Sequence, residues 1–258
     1  MKKILLIDAD IELYRIAQQH ELEVNWGDMI TMSSDIDSAK SVFTERINGL
    51  VQKTGADEFI LCITGSKNFR KTHHPTYKSN RVSRKPMGYS ELKQFAMDNF
   101  PFKVYDELEA DDVMGILATL PVKNKMYFIH SDDKDMWTIP AHIWSDDNQK
   151  IVLNTLENAD RFLYSQILTG DVTDGYKGCP KIGKTKAEKI LQECKNELQM
   201  REAVFKTYVK TFKDEELARQ EMLAQAQQAR ILRHTDWDMK TKQVILWNPW
   251  GDQDGSSK

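Results

Sequence analysis

The feature that most constrains the fold is an alternation of short apolar runs with longer amphipathic stretches in the first half of the chain. Three runs rich in apolar residues are bounded by polar residues: Ile4–Ile7, Phe59–Ile63 and Met126–Ile129. Between them, Asp37–Lys53 and Tyr89–Asn99 have apolar residues at helical spacing. Strands that alternate with helices predict an α/β fold, with a mainly parallel central sheet flanked by helices.

The pattern changes after about residue 159. Strand-like runs fade, and Lys184–Cys194 and Glu215–Arg233 have the composition and spacing of helices. Two pairs of short runs predict hairpins: an edge hairpin at His142–Trp144 and Ile151–Leu153, and a closing hairpin within Trp237–Trp247. We therefore expect an α/β core over residues 1–160, a helical region over residues 161–250 and a disordered tail over residues 251–258.

The overall charge does not predict a nucleic-acid partner. The 258 residues include 36 Lys and Arg against 39 Asp and Glu, a formal net charge of −3. The three cysteines show no metal-binding spacing, and no secretory signal stands at the start, so we expect a reducing compartment. The apolar run Ile4–Ile7 is far too short to span a membrane. We expect a soluble, monomeric protein of the cytoplasm.

Acidic residues stand where a parallel sheet would gather them. In open α/β sheets, ligands bind outside the carboxyl ends of the strands. One group directly follows the first strand, a second precedes a helical run, a third follows the strand that ends at Ile129, and a fourth lies in a glycine-bounded loop. The four groups are Asp8; Glu109, Asp111 and Asp112; Asp133 and Asp135; and Asp171 and Asp174.

Clustered carboxylates repel one another unless a cation lies between them, and magnesium prefers oxygen ligands. Two such ions, roughly 3.5–4 Å apart, could activate a water and stabilise the leaving oxygen of a phosphodiester. A single acidic pair after a strand is more often a helix cap or a solvated turn. Because four groups occur in one chain, we predict a metal site.

The charges are segregated along the chain. From Phe59 to Ser90 there is no acidic residue, although the window holds seven Lys and Arg. Aromatic rings at Phe69, Tyr77 and Tyr89 are interleaved with them. Cations that neutralise phosphates, with rings that can stack on bases, are typical of a groove that binds single-stranded nucleic acid. A solvated basic face is the alternative interpretation.

A glycine-rich segment, Gly178–Thr185, opens the predicted helix Lys184–Cys194. Backbone N–H groups at a helix start can bind a DNA phosphate. The segment ends Gly-Lys-Thr and so superficially resembles a nucleotide-binding P-loop. Gly178 stands five residues before Gly183, but no clear strand precedes the loop, which argues against that alternative.

In their order and spacing, these segments together resemble the 5′-nuclease (flap endonuclease) family, and especially the stand-alone 5′→3′ exonucleases of short-tailed bacteriophages. The resemblance extends from Ile4 to about Pro249. It rests on Ile7–Asp10, Pro75–Arg81, Glu109–Val113, Asp133–Asp135, Gly170–Gly175 and Gly178–Gly183.

The resemblance implies a PIN-like core, a basic helical arch at about residues 67–90 and a C-terminal helix-hairpin-helix. Asp8, Glu109, Asp111 and Asp112 would bind a first magnesium ion, directly or through water, and Asp133, Asp135, Asp171 and Asp174 a second. Manganese could substitute, and potassium could bind the hairpin. Lys78 and Arg81 would steady the scissile phosphate. The implied DNA-binding residues are Arg70, Lys71, Tyr77, Arg84, Lys85, Gly178, Ile182, Gly183, Lys184 and Thr185.

The implied activity is metal-dependent 5′→3′ exonuclease action, with flap endonuclease and RNase H-like activity. The substrate would be DNA with a 5′ end or flap, or an RNA–DNA hybrid, during replication, recombination or primer removal in the cytoplasm of an infected bacterium. Two positions depart from the family. Gly65 stands where relatives usually have an acidic residue, and Lys181 where they usually have glycine.

Three other interpretations stay open. Gly65 in place of the usual acidic residue favours the first, a catalytically weak, structure-specific DNA-binding protein of the same fold. A phosphatase with a nucleophilic aspartate is suggested by Asp8 and Asp10 after the first strand, but it explains neither the basic window nor the hairpin. A ribonuclease of the related PIN type would generally be shorter and lack the hairpin.

Overall fold

The computed structural model describes residues 1–81 and 84–251, so the predicted tail lies outside the described residues except for Gly251. In chain order the elements are β1 (Lys2–Asp8), α1 (Ala9–Gln19), β2 (Glu21–Asn25), β3 (Ile30–Ser34), α2 (Ile36–Thr54), β4 (Glu58–Thr64), α3 (Phe69–His73), α4 (Tyr89–Asn99), β5 (Phe102–Tyr105), α5 (Ala110–Ala118), β6 (Lys125–His130), β7 (His142–Ser145), β8 (Lys150–Leu153), α6 (Leu156–Thr169), α7 (Lys184–Leu191), α8 (Glu197–Phe212), α9 (Glu215–Ala229), β9 (Trp237–Asp238) and β10 (Gln243–Val244). Short 3₁₀ helices lie at Lys134–Thr138 and His234–Asp236.

The described chain divides into two compact units. Unit 1 comprises residues 1–67, 84–132 and 142–152, and unit 2 comprises residues 68–81, 133–141 and 153–251. Unit 2 therefore contains the helices of the second half together with two segments from earlier in the chain. We describe each unit by itself.

Unit 1 is built on a six-stranded sheet in the order β5-β4-β1-β6-β7-β8. β1 pairs in parallel with both β4 and β6, β4 pairs in parallel with β5, and β6 with β7. Since β7 and β8 are neighbours at one edge, the predicted edge hairpin is confirmed. The predicted α/β class with a mainly parallel sheet is also confirmed.

The sequence of β1 explains its central place. Ile4, Leu5, Leu6 and Ile7 are all buried, as expected for a parallel strand covered on both faces. Leu5 and Ile7 pack in one apolar cluster with α1, α2 and α4. Helix α5 packs against β1, β4 and β6 but contributes no residue to that cluster, so it covers the other face. The carboxyl ends of β1, β4 and β6 consequently lie together at one edge.

The antiparallel pair β2–β3 is absent from the sequence prediction. Its register pairs Leu22 with Ser33 and Val24 with Thr31. Leu22, Val24 and Trp26 are exposed. Both strands alternate polar and apolar residues, so the local signal of a strand was present in the sequence although their apolar residues are not buried.

Unit 2 is mainly helical. Buried residues of α6, α8 and α9 form one core that includes Tyr164 and Tyr208. The hydroxyl of Tyr208 donates a hydrogen bond of 2.6 Å to the carbonyl oxygen of Ile167, which satisfies its polar end inside this core. Strands β9 and β10 pair in antiparallel register, so the predicted closing hairpin is confirmed over Trp237–Val244.

Two predicted helices are too long. The predicted Glu215–Arg233 ends at Ala229, because Arg230 adopts an extended conformation and its guanidinium bonds Asp236 at 2.9 Å. The predicted Lys184–Cys194 ends at Leu191, where the Arg161 guanidinium donates to the carbonyl oxygens of Leu191 and Cys194. Cationic side chains that bond the last carbonyls of a helix stabilise its end. No helix of the described ranges is long and apolar enough to cross a membrane.

Candidate active site

In unit 1, Asp8 ends β1 at the centre of the sheet and is 5% exposed. Its Oδ1 caps α1 by accepting from the Ile11 N–H at 3.3 Å. Its Oδ2 accepts from the hydroxyl of Ser131, which follows β6, at 3.5 Å. The structure therefore places this predicted ligand at the carboxyl edge of the sheet, between the ends of neighbouring strands.

The segment Glu109–Asp112 reaches the same edge through the start of α5. The Ala110 N–H donates to Thr64 Oγ1 at 3.0 Å, which fixes the helix start against the end of β4. Asp112 is fully buried, and its Oδ2 accepts from the Glu109 N–H at 3.3 Å. Asp112 thus forms part of the cap of α5, and Glu109 and Asp111 beside it are half-buried. All three remain candidate ligands of this segment, directly or through water.

Asp10 belongs to this site but was not named as a ligand from the sequence. Its Oδ2 accepts from the Thr64 N–H at 2.9 Å, and its Oδ1 accepts from the Tyr89 hydroxyl at 3.1 Å. Burial and the charge of Asp10 raise the pKa of Tyr89, so this tyrosine stays protonated and donates. In the sequence, the signal that Asp10 belongs to this site is its position two residues beyond Asp8.

The fold gives a steric reason for a glycine at position 65. A Cβ built on Gly65 would lie 2.2 Å from the carbonyl oxygen of Tyr105 and 2.4 Å from that of Asp106. The Gly65 N–H also donates to the Leu108 carbonyl oxygen at 2.9 Å. The loop that precedes α5 thus occupies the space that an acidic side chain would need.

The carboxylates of unit 1 together make the surroundings of Cys62, near the end of β4, electrostatically negative. Burial raises the pKa of the Cys62 thiol, and the negative charges of Asp8, Asp111 and Asp10 raise it further. Carboxylates from β1, α1 and α5 are therefore close enough to the end of β4 to produce a shared negative field there. Such a field favours a bound cation.

Unit 2 holds the other two predicted acidic groups. Asp133 caps a 3₁₀ helix by accepting from the Asp135 N–H at 2.8 Å. Asp135 accepts a hydrogen bond of 2.6 Å from the side-chain amide of Gln166 on α6. Burial raises the pKa of Asp135 to about 6, and the negative charges of Asp133, Asp171 and Asp174 contribute.

The loop between α6 and α7 brings Asp171 and Asp174 to this group. Asp171 bridges to Tyr176 through paired backbone hydrogen bonds of 2.8 and 3.1 Å. Its Oδ1 accepts from the Thr173 N–H at 2.7 Å, and its Oδ2 accepts from the Lys134 ammonium at 2.7 Å. Burial alone would raise the pKa of Asp171, but the Lys134 hydrogen bond and charge hold it below its usual value.

Lys78 and Arg81 both contact Asp174. The Arg81 guanidinium donates to Oδ1 at 2.6 Å, and the Lys78 ammonium lies 3.5 Å from Oδ2. Lys78 is also tied through its backbone, whose N–H donates to the Asp174 carbonyl oxygen at 2.8 Å. Its φ of 51° lies in the left-handed region, a conformation that costs free energy and often occurs at functional sites. The predicted basic pair is thus placed directly beside an acidic group.

The donor sets of both units fit a hard divalent cation, because they consist of carboxylate oxygens under mutual repulsion. Within residues 1–81 and 84–251, no three His, Cys, Asp or Glu side chains are grouped closely enough to hold a metal ion by themselves. Magnesium usually takes one or two carboxylates, several waters and substrate phosphates, so such a grouping is not required for it.

Several predicted DNA-binding residues have structural roles. Arg70 and Tyr77 are 2% and 3% exposed, and the Tyr77 hydroxyl donates to Asp174 at 3.2 Å. Gly178 is buried, and its N–H donates to Gln225 Oε1 at 2.8 Å. We assign these three residues to the packing of unit 2 and not to DNA contact.

The other predicted DNA-binding residues lie at or near the surface. Arg84 is exposed but forms a two-point ion pair with Glu21 at 2.7 and 2.8 Å. Ile182 is half-buried, and the remaining members are exposed: Lys71, Lys85, Gly183, Lys184 and Thr185. The predicted basic arch includes Val82 and Ser83, which lie outside the described residues.

Unit 1 has carboxylates at the carboxyl edge of its parallel sheet, and unit 2 has a basic pair on a second acidic group. Groups of both kinds occur in enzymes that hydrolyse phosphodiesters with bound metal ions. A family model described as the N-terminal resolvase-like domain of 5′-3′ exonucleases matches residues 3–159. The chain therefore belongs to the 5′-3′ exonuclease family, and it is a nuclease of the hydrolase class.

The chain is similar to two phage exonucleases over nearly its whole length. It is 29% identical to an exodeoxyribonuclease of Enterobacteria phage T3, covering 96% of this chain and 93% of that protein. It is 28% identical to an exonuclease of Escherichia phage T7, with 96% and 94% covered. The fold is similar to that of the bacteriophage T5 D15 flap endonuclease solved as a complex with DNA and metal ions. That similarity has a TM-score of 0.56, 16% identity and coverage of 86% and 93%.

Proposed function

We propose that this protein is a magnesium-dependent 5′→3′ exonuclease that hydrolyses phosphodiester bonds at 5′ ends of duplex DNA. Flap endonuclease and RNase H-like activities belong to the same proposal, as does a role in phage replication, recombination or primer removal. Membership of the 5′-3′ exonuclease family and the similarity to phage exonucleases support it. The observation that carries it is the contact of Lys78 and Arg81 with Asp174.

That contact places two cations beside an acidic site. Arg81 is half-exposed, whereas the side chains of Lys78 and Asp174 are mostly buried. A phosphodiester at this site would replace part of the carboxylate's hold on the two cations with its own negative charge. Preorganised cations of this kind stabilise charge that develops on the phosphate, and they need little rearrangement during the reaction.

The carboxylates would hold the cations of the reaction. We assign Asp8, Glu109, Asp111 and Asp112 of unit 1 to a first ion, directly or through water, and Asp133, Asp135, Asp171 and Asp174 of unit 2 to a second. When bound, magnesium or manganese would polarise the phosphate and lower the pKa of a water. Asp112 also accepts from the Glu109 N–H in the cap of α5, which fixes the position of Glu109.

The remaining groups bind and orient the substrate. Helix α7 begins after Gly183, and the first turn of a helix leaves backbone N–H groups without intrahelical partners. Lys184 and Thr185 are exposed there, so we propose that they contact a phosphate of the duplex, as in a helix-hairpin-helix. A potassium ion at the hairpin is part of the same proposal.

Labelled duplexes test the activity. One duplex carries a 5′ label, one a 3′ label and one a 5′ flap, and each is incubated with magnesium and then with EDTA. We expect short products from the 5′ end that vanish with EDTA, and their lengths separate exonuclease action from flap cutting. A 5′ RNA segment in the duplex tests the RNase H-like activity.

The second candidate is a DNA-binding protein with little catalytic activity. The observation that favours it is the packing around Gly65, which leaves no room for an acidic side chain at that position. Tight binding of the duplex without cleavage in magnesium or manganese would support this candidate and contradict the nuclease.

A further inference from the structure

Asp10 is the second residue of α1 and is half-buried. Its side chain reaches the end of the neighbouring strand β4, where its Oδ2 accepts from the Thr64 N–H at 2.9 Å. Thr64 is the last residue of β4 and directly precedes Gly65. The Asp10 carboxylate is therefore bonded one residue away from the position at which relatives usually have an acidic residue.

Position 65 itself cannot supply a carboxylate in this fold. A Cβ there would lie 2.2 Å from the carbonyl oxygen of Tyr105 and 2.4 Å from that of Asp106. Both neighbours are backbone atoms, and moving them to admit a side chain costs stability, as overpacking does elsewhere. A carboxylate at this end of β4 has to come from another element, and the Asp10 side chain comes from α1.

The charge of Asp10 is held by neutral groups. Its Oδ2 accepts from a backbone N–H, and its Oδ1 accepts from the Tyr89 hydroxyl at 3.1 Å. No cationic side chain of residues 1–81 and 84–251 forms an ion pair with it. Asp171 and Asp174 of unit 2, by contrast, each contact a cation. A half-buried carboxylate without a counterion is costly, and each oxygen keeps a second lone pair that can bind a cation.

The negative charge of Asp10 adds to that of the other carboxylates in unit 1. Burial raises the pKa of Tyr89, and the charge of Asp10, its hydrogen bond and the charge of Asp8 raise it further. The pKa of the Cys62 thiol, which burial raises most, also responds to Asp8, Asp111 and Asp10. A cation at the carboxyl edge of this sheet would therefore be attracted by Asp10 together with the two predicted ligands.

Helix α4 holds this carboxylate in place. Tyr89 is the first residue of α4 and is 6% exposed, and its ring belongs to the apolar core of unit 1. Its hydroxyl stays protonated and donates to Asp10, so it fixes the direction of the carboxylate. Lys93, one turn further along α4, donates to the Thr64 carbonyl oxygen at 3.0 Å. The same helix thus secures the carboxylate and the strand end to which it is bonded.

We propose that Asp10 supplies to the first metal ion the carboxylate that position 65 cannot carry, with Tyr89 as its positioning residue. Asp10 binds the ion directly or through one of its waters, beside Asp8 and Asp111. The inference rests on the proposed nuclease function and adds a ligand to it. It also removes the reason to expect a catalytically weak protein, because α1 restores the acidic group that is missing at Gly65.

Manganese binding to the full chain without DNA tests the proposal. Electron paramagnetic resonance measures the free ion during titration of the parent protein, Asp10→Asn and Tyr89→Phe. Asp171→Asn identifies the ion assigned to unit 2, so a change at Asp10 can be attributed to the other ion. We expect Asp10→Asn to weaken that other ion by about 10–100-fold, the usual range for a lost carboxylate around a metal. Tyr89→Phe should weaken it less.

Each variant has a matched control. Asp37→Asn removes a carboxylate from the second residue of α2, which is the same helix position as that of Asp10, but Asp37 is exposed. Tyr127→Phe removes a hydroxyl from β6 opposite Ile4, near the amino end of β1. Both controls should bind manganese as tightly as the parent protein.

A purely structural Asp10 would give a different result. If it only ties α1 to β4, Asp10→Asn lowers the thermal midpoint in EDTA and leaves the affinity for manganese unchanged, which would overturn the proposal. An equal loss of affinity in Asp37→Asn would overturn it too, as would a parent protein that binds only the ion removed by Asp171→Asn. Should Asp10→Asn fail to fold, Tyr89→Phe decides, because it keeps the charge, and an unchanged affinity there overturns the proposal.

The two proposals fail in different ways. Cleavage of a 5′-labelled duplex is measured at increasing magnesium, and Asp10→Asn should need about tenfold more magnesium than the parent protein for half of its maximal rate. A parent protein that does not cleave, with manganese bound and weakened in Asp10→Asn, would contradict the nuclease and leave Asp10 as a ligand. Cleavage by Asp10→Asn with the parent's magnesium dependence and manganese affinity would overturn the role of Asp10 and leave the nuclease.

Discussion

The ammonium group of Lys134 lies 2.7 Å from a carboxylate oxygen of Asp171, a residue 37 positions along the chain. The contact joins the 3₁₀ helix after Asp133 to the loop that holds Asp174. Lys134 remains largely exposed, whereas Asp171 is buried. The hydrogen bond raises the pKa of Lys134 and so keeps this residue charged.

Replacing Lys134 with Ala should therefore destabilise the protein in EDTA. The buried carboxylate of Asp171 loses its cation, but solvent screening at the exposed lysine limits the effect to about 0.5–1 kcal/mol. Urea unfolding of Lys134→Ala and of the control Lys150→Ala measures it. Equal stability of Lys134→Ala and the parent protein would show that the pair does not hold the loop.

Asp135 should make stability depend on pH. Its pKa is raised from 3.8 to about 6 by burial and neighbouring charges. Between these values the folded state holds more protons than the unfolded state, so stability falls as pH rises from about 4 to 6 and then levels off. Asp135→Asn removes the buried charge, and we expect a gain of the order of 2 kcal/mol at pH 7 and little change at pH 4.

Thermal unfolding in EDTA at the two pH values checks this prediction. Magnesium at pH 7 should then stabilise the parent protein more than Asp135→Asn, because the variant has lost a carboxylate for the ion. A stability gain that is equal at pH 4 and pH 7 would contradict the assignment.

Lys78 and Arg81 should matter for turnover more than for binding. Removing either cation leaves charge on the phosphate unbalanced during the reaction, and a loss of roughly 100-fold is expected for one preorganised donor. Single-turnover cleavage at saturating DNA measures the rate for Lys78→Ala and Arg81→Ala. Lys123→Ala, an exposed lysine that precedes β6 at the amino end of that strand, is the control and should retain the parent rate. An unchanged rate in Lys78→Ala would remove this residue from the mechanism.

Gly65 should tolerate no side chain. The carbonyl oxygens of Tyr105 and Asp106 would lie within 2.4 Å of a new Cβ, and both belong to backbone that cannot shift easily. Gly65→Ala should lose about 1–3 kcal/mol of stability, as is usual for overpacking. Gly49→Ala, where a Cβ meets no atom within 4 Å on α2, should gain up to about 1 kcal/mol. Equal urea midpoints for the two variants would contradict the packing.

Glu21 should restrain the segment that leads into α4. Its carboxylate binds Arg84 at two points and accepts from the Met87 N–H at 2.6 Å, and the Arg84 hydrogen bond lowers the pKa of Glu21 to about 2. Glu21→Ala should therefore speed tryptic cleavage after Arg84. Glu23→Ala, on the same strand, should leave the rate of cleavage unchanged.

The strands, the class of fold and the carboxylates could be predicted because each leaves a local signal. The run Ile4–Ile7 is apolar without alternation, as a strand covered on both faces must be. The predicted Tyr89–Asn99 coincides with α4. Asp8 follows its strand directly, so its place at the sheet edge followed from the parallel topology alone.

The remaining features depend on partners that are distant in sequence. The end of α9 is set by a buried pair of Arg230 and Asp236, and that of α7 by Arg161 of another helix. The burial of Arg70 and Tyr77 could not be read from a basic window, because composition does not show which side of a segment packs inward. Lys181 was noticed from the sequence as a departure, but its positive φ is visible only in the structure.

The most direct test of the central claim is Asp171→Asn, which keeps the shape of the side chain and an oxygen that can accept from the Thr173 N–H, but removes the charge and the acceptor of the Lys134 hydrogen bond. Cleavage of a 5′-labelled duplex in magnesium and binding of the same duplex in EDTA are measured for this variant and for the control Asp147→Asn, an exposed residue of unit 1. We predict that Asp171→Asn loses at least about 100-fold in cleavage rate while binding DNA as tightly as the parent protein, since a metal ligand supplies several kcal/mol of charge stabilisation. Cleavage at the parent rate, or an equal loss of binding, would contradict a metal-dependent nuclease centred on Asp171.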